Sequence, residues 1–583
     1  MGEERRIVGC MPDRRYRPTR WILAICLLVT SIRMRLVRVM KCQVCCLLVC
    51  LVMAIDSAIF AAERPNVIVI MVDDMGYSDI APYGGEIDTP NLSMLAANGL
   101  RFTQFYNSAR CCPTRATLMT GLHPHQVGIG HMTAEEGPGT AGRPPAYAGN
   151  LNDSCVTLAE LAKMAGYGTY MAGKWHLSGS DRADWPLQRG FDRFYGLLSG
   201  ASHHFKPYGN RLVYDGNEAI KDPESTTDRP FYTTDAFTDH AIRFLSEHHA
   251  SHPKKPFFLY LAYTAPHWPI HAHDQEIAKY RGKYRMGWDV LRAERYERQV
   301  RSGLIPAKWK LSERDPDVPA WDAVEESVRD ACDHRMAAYA GMIDRVDQKI
   351  GDLIAALKEF DAFENTLIVF LSDNGACAEV SKLGVGDPLK DRAPLTPLTS
   401  PSYGKGWANA SATPYRLYKH FAHEGGVNTP FIAHWPARIE SGRDWYREPA
   451  QLIDVMATVL EVTGGAYPEK RDGVAVLPMD GVSLLTAFDG KPLGRRGPIF
   501  IEHEDNAFVR DGDWKLVGQG VSPAGGLRKK RWELYHITED GTELNNLAEE
   551  HPDLVDSLSA KWSEWANRVG VFPKPGRAGK AGK

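Results

Sequence analysis

Short runs of aliphatic and β-branched residues recur along the chain between Pro65 and about Gly465. Each run is continuously apolar, which indicates a strand covered on both faces, as in a parallel sheet. The runs lie at Val67–Val72, Thr169–Ala172, Phe257–Ala262, Leu367–Leu371 and Pro430–His434. Helical patterns separate them, at Thr157–Ala165, Thr234–His248, Asp333–Phe360 and Leu452–Thr463. This alternation predicts an α/β domain in which helices sandwich a large mixed, mostly parallel sheet.

Two stretches interrupt the alternation. Residues 274–325 are rich in Arg and Glu, and we expect them to be helical and on the surface. Residues 380–415 are rich in Gly, Pro, Ser and Thr and show no periodicity. A connection of that length is usually functional or disordered.

The pattern changes from about Gly494. Short alternating strands follow at Pro498–Glu502, Asn506–Arg510, Trp514–Val517 and Trp532–His536, and a helix at Asp553–Arg568. They predict a small C-terminal α+β domain with an antiparallel sheet. The predicted division of the chain is an N-terminal extension with a signal segment at 1–62, the large α/β domain at 63–490, the α+β subdomain at 491–572 and a flexible tail at 573–583.

The first 62 residues carry ten Lys and Arg against four Asp and Glu, around two apolar runs. The runs, Trp21–Ile32 and Val44–Ile55, are shorter than the roughly 18 residues that span a bilayer. The second run follows Met40 and precedes small residues near Ala62, which is the order of a secretory signal peptide. We therefore expect an exported protein, periplasmic or secreted, that starts near Met40; an uncleaved membrane anchor is the alternative.

Composition narrows the class of protein. The 583 residues are 44% hydrophobic and 24% charged, which excludes a mostly disordered chain, a collagen-like fibre and a multi-span membrane protein. The net charge of −3 gives no electrostatic case for nucleic acid. Six of the eleven cysteines lie in the first 62 residues. The odd set of five that remains indicates that at least one has a chemical role.

Carboxylates follow two of the predicted strands at the point where each strand ends. Asp73 and Asp74 come directly after the first strand, and Asp373 and Asn374 follow the run that ends at Leu371. Ligands of open parallel sheets bind beyond the carboxyl ends of the strands, so we expect these side chains at one edge. Solvated turn or capping residues are the alternative for either motif alone. The two motifs together favour a hard divalent cation such as Ca²⁺ or Mg²⁺, which would relieve the repulsion between carboxylates.

Cationic and imidazole side chains follow other predicted strands. Lys174 and His176 come after the second strand, where an extended backbone would place them on one face. His267 follows the third strand, and Lys419 precedes the last. Each residue alone is a weak signal, because a lone histidine is more often a hydrogen-bonded loop residue. Together they indicate a metal pocket that binds an anionic group such as sulfate or phosphate.

The segment from Cys111 to residue 121 has the pattern of a short helix. Pro113 fits the first helical position, which puts Cys111 at the N-terminus, where free N–H groups favour anions. Arg115 lies in the same first turn, and the Cys-Cys pair could equally be structural. A phosphatase-like thiolate loop is disfavoured because the spacing from Cys111 to Arg115 is shorter than such loops have. No neighbouring residue supplies the base that a thiol nucleophile needs.

These motifs together resemble the type I sulfatase family, arylsulfatase-like, of the alkaline phosphatase-like superfamily. The resemblance rests on Cys-x-Pro-x-Arg at Cys111, followed by Thr-Gly, and on the Asp-Asp, Gly-Lys-Trp-His, Pro-His and Ser-Asp-Asn-Gly motifs. It extends from about Pro65 to the end of the chain, including the Ser402–Trp407 stretch and the Trp532–His536 strand. The set of motifs is highly specific, although Asp-Asp alone is not.

The resemblance implies a cofactor made from the chain itself. In the family a formylglycine-generating, sulfatase-maturating enzyme oxidises the motif cysteine to Cα-formylglycine; the matching residue is Cys111, and Cys112 would stay a thiol. Thr114 stands where the motif most often has Ser or Ala, and this small hydroxylated replacement is compatible with processing. The hydrated aldehyde carries two hydroxyl groups, one to attack sulfur and one to release sulfate afterwards.

The resemblance also implies a metal site. One Ca²⁺ ion would be bound by the Cys111-derived diol, Asp73, Asp74, Asp373 and Asn374. Asp373 would also be the base for the attacking hydroxyl, and Arg115 would hold the diol and the metal carboxylates.

The remaining roles concern the sulfate group and its protons. Lys174 and Lys419 would neutralise the sulfate oxygens and the leaving oxygen. His267 is implied to be the general acid for the leaving alcohol, and His176 the base that completes the turnover.

The implied activity is hydrolysis of sulfate monoesters, with a small aryl sulfate or a sulfated glycan as substrate. Trp268, Trp407 and His203-His204 are candidates for contact with an aryl or sugar ring, or for packing. One alternative is a phosphonate monoester or phosphodiester hydrolase of the same superfamily. The other is an exported, non-catalytic protein that binds sulfated glycans; it is disfavoured because every expected catalytic position holds a competent residue.

Overall fold

A computed structural model describes residues 64–133, 142–179, 181–225, 229–389, 400–495, 497–521 and 531–575. The predicted signal segment and membrane anchor lie outside the described residues, as do positions 576–583 of the predicted tail. Within the described ranges, no helix combines the length and the apolar character needed to cross a membrane.

A large sheet forms the centre of the fold. The strands in chain order are β1 (Asn66–Val72), β2 (Leu100–Phe102), β3 (Phe105–Tyr106), β4 (Gly168–Lys174), β5 (Arg193–Leu197), β6 (Val213–Asp215), β7 (Glu218–Ile220), β8 (Phe257–Ala262), β9 (Thr366–Ser372), β10 (Phe431–His434), β11 (Ala450–Gln451), β12 (Lys470–Arg471), β13 (Val474–Ala475), β14 (Ile499–His503), β15 (Asn506–Asp511), β16 (Trp514–Gly518) and β17 (Trp532–His536). Nine of these described strands form one sheet, in the order β2-β10-β9-β1-β8-β4-β5-β6-β7.

The central strands β9, β1, β8, β4 and β5 are parallel, and the strands at both edges are antiparallel. The predicted mixed, mostly parallel sheet is therefore confirmed. The expectation that Phe431–His434 is a parallel strand is wrong, because this strand runs antiparallel to β9. Its apolar run reflects burial on both faces, which fixes the pattern of residues but not the direction of the strand.

Strand β1 shows why the central runs are continuously apolar. Ile68, Ile70 and Val72 belong to the hydrophobic core on one face of the sheet. Val67 and Met71 belong to the core on the opposite face. Successive side chains point to opposite faces of a sheet, so both faces are covered and the buried positions 67–72 are all apolar.

Helices cover both faces. They are α1 (Pro90–Ala97), α2 (Cys111–Thr120), α3 (Leu158–Met164), α4 (Thr233–Ser251), α5 (Asp274–Tyr280), α6 (Gly287–Arg301), α7 (Glu326–Glu359), α8 (Gly404–Ser411), α9 (Glu424–Val427), α10 (Ile453–Thr463), α11 (Leu485–Phe488) and α12 (Pro552–Arg568). Helices α4 to α7 contribute to the core that contains Ile68, and α2, α3 and α10 to the core that contains Val67.

Three expectations about helices need correction. Helix α2 begins at Cys111 rather than at Pro113. The 274–325 segment is helical only as far as Arg301, apart from a short turn of 3₁₀ helix, and it buries Trp288 and Arg295. The 380–415 segment contains helix α8. Its Gly-containing sequence has low helix propensity, so the helix was not predicted. Tertiary packing stabilises it instead.

The last strands, β14 to β17, form a separate antiparallel sheet in sequential order, as predicted. Helix α12 packs against it through Trp562 and Trp565, which share a core with residues of β15, β16 and β17. The domain boundaries at 490 and 572 stay a prediction.

Glycines allow the close approach of β4 to its neighbours. Gly173 has φ of 112°, and a Cβ there would lie 1.9 Å from the carbonyl oxygen of Ala262 in β8. A Cβ at Gly196 in β5 would meet the Gly173 carbonyl at the same distance. Only glycine fits these positions, and Gly173 directly precedes Lys174 at the end of β4.

We expect Gly173→Ala to lower the free energy of unfolding by about 3 kcal/mol or more, because the new Cβ overlaps backbone of β8. Gly209→Ala is the matched control: Gly209 has φ of 65° but open space around its Cβ position, so only the strain of about 1 kcal/mol applies. Urea denaturation of the two variants measures the difference. Equal losses of the free energy of unfolding in the two variants would contradict the overlap between the new Cβ and β8.

Candidate active site

The carboxyl ends of β1 and β9 bring three carboxylates together. Val72 and Ser372 are register partners at the ends of these strands, so Asp73 and Asp373 follow side by side. The backbone N–H of Asp74 donates to Oδ1 of Asp373 over 3.1 Å. The three aspartates are fully buried. The two predicted motifs thus meet at one edge of the sheet.

Each carboxylate is paired with one buried cation. The pairs and their N–O distances are Lys174–Asp73 (2.6 Å), Arg115–Asp373 (2.8 Å) and Lys419–Asp74 (2.9 Å). Arg115 also lies 3.8 Å from Asp73 and donates to the carbonyl oxygen of Lys174 over 3.1 Å. Buried charges require this kind of pairing, because each would otherwise lose its hydration without compensation.

For two of the three carboxylates the pairing does not fully offset burial. Burial raises the pKa of Asp373 to about 8; the like charge of Asp73 adds to this, and Arg115 opposes it. Burial also raises the pKa of Asp73, against the lowering effect of Lys174 and Arg115. Additional positive charge near these two carboxylates would stabilise their ionised forms.

Two oxygen atoms of the cluster have no hydrogen-bond partner among the described residues, Oδ1 of Asp73 and Oδ1 of Asn374. Nδ2 of Asn374 donates to Oδ1 of Asp74 over 2.6 Å, which leaves the amide oxygen as an acceptor. Buried acceptors are rarely left unsatisfied. Together with Asp373 these residues form an all-oxygen donor set, which fits a hard divalent cation such as Ca²⁺.

Cys111 is the first residue of α2 and is 2% exposed. Its sulfur, the sulfur of Cys112 and a ring nitrogen of His176 lie within 4.8 Å of one another. A hydrogen bond with Cys112 and the charges of Lys174 and His176 hold the pKa of Cys111 well below its usual value, although burial raises it. The fold thus places an imidazole beside the Cys111 sulfur, which the sequence around Cys111 does not supply. His176 has φ of 55°, so a left-handed backbone, rather than the expected extended one, brings it to this position.

His267 follows β8 and is 7% exposed. Its Nε2 lies 3.4 Å from Oδ2 of Asp74, and its Nδ1 is hydrogen-bonded to the carbonyl oxygen of Trp268. The carbonyl fixes a proton on Nδ1, so Nε2 is the nitrogen that can exchange a proton with a bound molecule. Burial lowers the pKa of His267, and Asp74 opposes this. His204 supports the loop, because its Nε2 donates to the His267 carbonyl over 3.2 Å.

All the predicted site residues therefore lie in one connected cluster, although their catalytic roles stay predictions. Of the residues considered for substrate contact, Trp407 is a packing residue: it is fully buried and donates to the Cys332 carbonyl over 3.0 Å. Trp268 lies beside the site and donates its indole N–H to Glu379 over 3.2 Å.

Glu379 is a site residue that sequence reasoning missed. It contacts Arg110 at 2.8 Å, His420 at 2.9 Å and Lys419 at 3.4 Å. Burial raises the pKa of Glu379, but Lys419, His420 and Arg110 together hold it well below its usual range. The one sequence feature that could have identified Glu379 is its position, because it is an acidic residue in the loop after β9, six positions after Asp373.

Comparisons with known proteins give a consistent picture. The family profile named Sulfatase matches residues 65–466. An uncharacterised sulfatase of Schizosaccharomyces pombe is 34% identical over 552 residues, which cover 88% of this chain and 95% of that protein. An arylsulfatase of Klebsiella aerogenes is 34% identical over 453 residues, 75% of this chain and 95% of that protein. The crystal structure of Ps i-CgsB in complex with k-i-k-neocarrahexaose has a TM-score of 0.60 and 25% identity, and covers 86% of this chain and 93% of that chain.

The raised pKa of Asp373 predicts a pH dependence of stability in protein treated with a chelator. Between 3.8 and about 8 the folded state holds this proton while the unfolded chain has lost it. The contribution of Asp373 to the free energy of unfolding is therefore full at low pH and is lost as the pH rises through this window. Asp373→Asn removes the titration, so the difference between wild type and variant should change across the window. If urea denaturation gave a difference in the free energy of unfolding that stayed constant with pH, the raised pKa of Asp373 would be contradicted.

Proposed function

This chain belongs to the sulfatase family, and on that premise we propose that it hydrolyses sulfate monoesters with a Cα-formylglycine made from Cys111. It is a sulfatase, and its relatives support sulfate-ester hydrolysis as its activity. One observation carries the finer proposal: Cys111 begins a buried helix at the point where three carboxylates and three cations meet. A helix N-terminus adds further attraction for an anion there.

The metal of the proposed site is Ca²⁺, one ion per chain. Its protein ligands would be Asp73, Asp74, Asp373, Asn374 and the modified Cys111. The unpartnered buried oxygens of Asp73 and Asn374 support this assignment. When bound, Ca²⁺ would polarise a sulfate oxygen, and the hydrated aldehyde would supply the attacking hydroxyl.

Two buried cations bind the sulfate group in this proposal, and a third orients residue 111. Lys174 and Lys419 act as point charges for the sulfate oxygens, and burial protects them from screening by salt. Arg115 has a fixed direction, because it also donates to Asp373 over 2.8 Å and to the Tyr260 hydroxyl over 3.3 Å. Arg115 therefore orients residue 111 and does not move to contact the substrate.

Proton transfer would involve three side chains. Asp373 is the base for the attacking hydroxyl, since the positive charge of Ca²⁺ would favour its ionised form, which can accept a proton. His267 donates a proton from Nε2 to the leaving alcohol. His176, which lies beside the sulfur position of Cys111, is the base of the second half of the reaction.

The proposed substrate is a sulfate ester of an aryl alcohol or of a glycan. The Klebsiella aerogenes relative is named an arylsulfatase, and the Ps i-CgsB structure contains an oligosaccharide, neocarrahexaose. Trp268 supports either choice, because its partly exposed ring lies next to His267 and suits contact with a flat or apolar ring face. A separate formylglycine-generating enzyme is the further partner that the proposal requires, and export is the localisation it proposes.

We expect Cys111→Ser to lower kcat by at least roughly 10³-fold, as for the loss of other nucleophiles. Cys112→Ser is the matched control, because Cys112 is not the residue converted and a serine there should leave kcat within a few-fold of wild type. Mass spectrometry of the tryptic peptide containing Cys111 should show an aldehyde in place of the thiol in protein made by its native host. An unmodified thiol in active native protein would overturn the formylglycine mechanism.

The role of His267 predicts a dependence on the leaving group. His267→Ala should lower kcat/KM by about 10²–10⁴-fold for sulfate esters of poorly acidic alcohols, which need protonation to leave. Aryl sulfates with acidic leaving groups should be affected much less and serve as the internal control. A plot of log kcat/KM against leaving-group pKa should therefore become steeper in the variant; an unchanged slope would rule out the acid role.

A further inference from the structure

A second group of metal-ligand side chains lies at the rim of the candidate active site. It consists of His420, which follows Lys419, and of His503 and Glu504 at the hairpin between β14 and β15. We call it the rim cluster. One nitrogen or oxygen from each of its three residues lies within 4.8 Å of the others.

His503 is the clearest sign that the rim cluster is incomplete. Its side chain is fully buried, and neither ring nitrogen has a hydrogen-bond partner among the described residues. The nearest acidic atom, Oε1 of Glu504, lies 3.5 Å from Nε2. A buried imidazole without hydrogen bonds loses its hydration without compensation, so a ligand on this ring would satisfy it.

His420 already has the environment of a metal-bound histidine. Its Nδ1 lies 3.1 Å from Oε2 of Glu504, inside the rim cluster, and its Nε2 lies 2.9 Å from Oε1 of Glu379, outside it. Metal-binding histidines commonly donate their second ring N–H to a carboxylate in this way. Arg110 contacts both ring nitrogens of His420, with Nη1 3.1 Å from Nδ1, and its charge is opposed by both Glu379 and Glu504.

His131 orients Glu504 without being a ligand itself. Its Nδ1 accepts the backbone N–H of Met132 over 2.7 Å, so the proton of the neutral ring is on Nε2. That nitrogen lies 3.2 Å from Oε1 of Glu504 and donates to it. The carboxylate is therefore held through Oε1, while its other oxygen, Oε2, faces Nδ1 of His420 inside the rim cluster.

Backbone strain accompanies the rim cluster. Glu504 has φ of 48° and His420 has φ of 79°, both in the left-handed region that side chains with a Cβ rarely adopt. Glu504 and Asp505 form the two-residue turn of the hairpin, where Asn or Gly would relieve the strain. Strain of this kind persists only where the surrounding structure holds it in place.

We propose that the rim cluster binds a divalent transition-metal ion of the Zn²⁺ type, through His420, His503 and Glu504. Zn²⁺ takes nitrogen and carboxylate ligands, usually four, and three protein ligands leave one position for water or a substrate group. The all-oxygen cluster around Asp73 suits Ca²⁺ instead, so the two sites differ in the ion they select. This inference goes beyond the proposed sulfatase mechanism and does not depend on it.

The test is a Zn²⁺ titration of the full-length protein without a histidine tag, in saturating Ca²⁺, with a chromogenic chelator as competitor. Wild type should bind one Zn²⁺ per chain. Glu504→Gln and His503→Gln should each weaken binding by roughly tenfold or more. His252→Gln, at an exposed histidine after α4, is the matched control and should bind as wild type does.

Anomalous X-ray scattering at the zinc edge, from crystals soaked in ZnCl₂ and Ca²⁺, gives the position of the ion. A peak between His420, His503 and Glu504 supports the proposal, and a peak only at Asp73 and Asp74 overturns it. Equal Zn²⁺ affinity of wild type and Glu504→Gln also overturns it. Glu504 lies on a partly exposed turn, so this variant decides the matter if His503→Gln fails to fold.

Discussion

Three carboxylates and three cations buried at one edge of the sheet are the constraint on which the rest of the structure depends. The acidic groups come from the ends of β1 and β9, and the cations from α2, β4 and the loop before α9. Removing any one partner would leave an uncompensated charge in a dry environment, at a cost of about 3–5 kcal/mol. The sheet order, the buried helix α2 and the glycines of β4 all serve to hold these groups at hydrogen-bonding distance.

The C-terminal sheet also contributes buried charges that support the site, although it lies outside the main sheet. Lys515 of β16 is fully buried and lies 2.7 Å from Glu424 and 2.8 Å from Glu543. The backbone N–H of Glu424, the first residue of α9, donates to Glu543 over 2.9 Å. This second charged network fixes the segment just after Lys419. The small sheet is therefore part of the framework of the site, which explains why an antiparallel meander follows the large α/β region in the same compact unit.

Much of the site was predictable because strand ends are predictable. Continuous apolar runs located β1 and β9 within a residue or two, and the carboxyl-end rule then placed Asp73 and Asp373 together. Features set by irregular backbone were not predictable. The position of His176 depends on one left-handed residue, and Glu379 lies on a loop without periodicity. The direction of Phe431–His434 was also beyond the sequence, because burial looks the same in parallel and antiparallel strands.

The burial of α2 has a consequence for the order of events in the life of the protein. All ten residues of the helix are inaccessible in the folded state, and Cys111 at its start is 2% exposed. A second protein that oxidises Cys111 must hold this segment in an active site of its own, which a packed helix does not permit. In the proposed mechanism, conversion of Cys111 to formylglycine would therefore have to precede folding. On that proposal, a chain that folded first would keep its thiol, and the active fraction of a preparation would be set during synthesis.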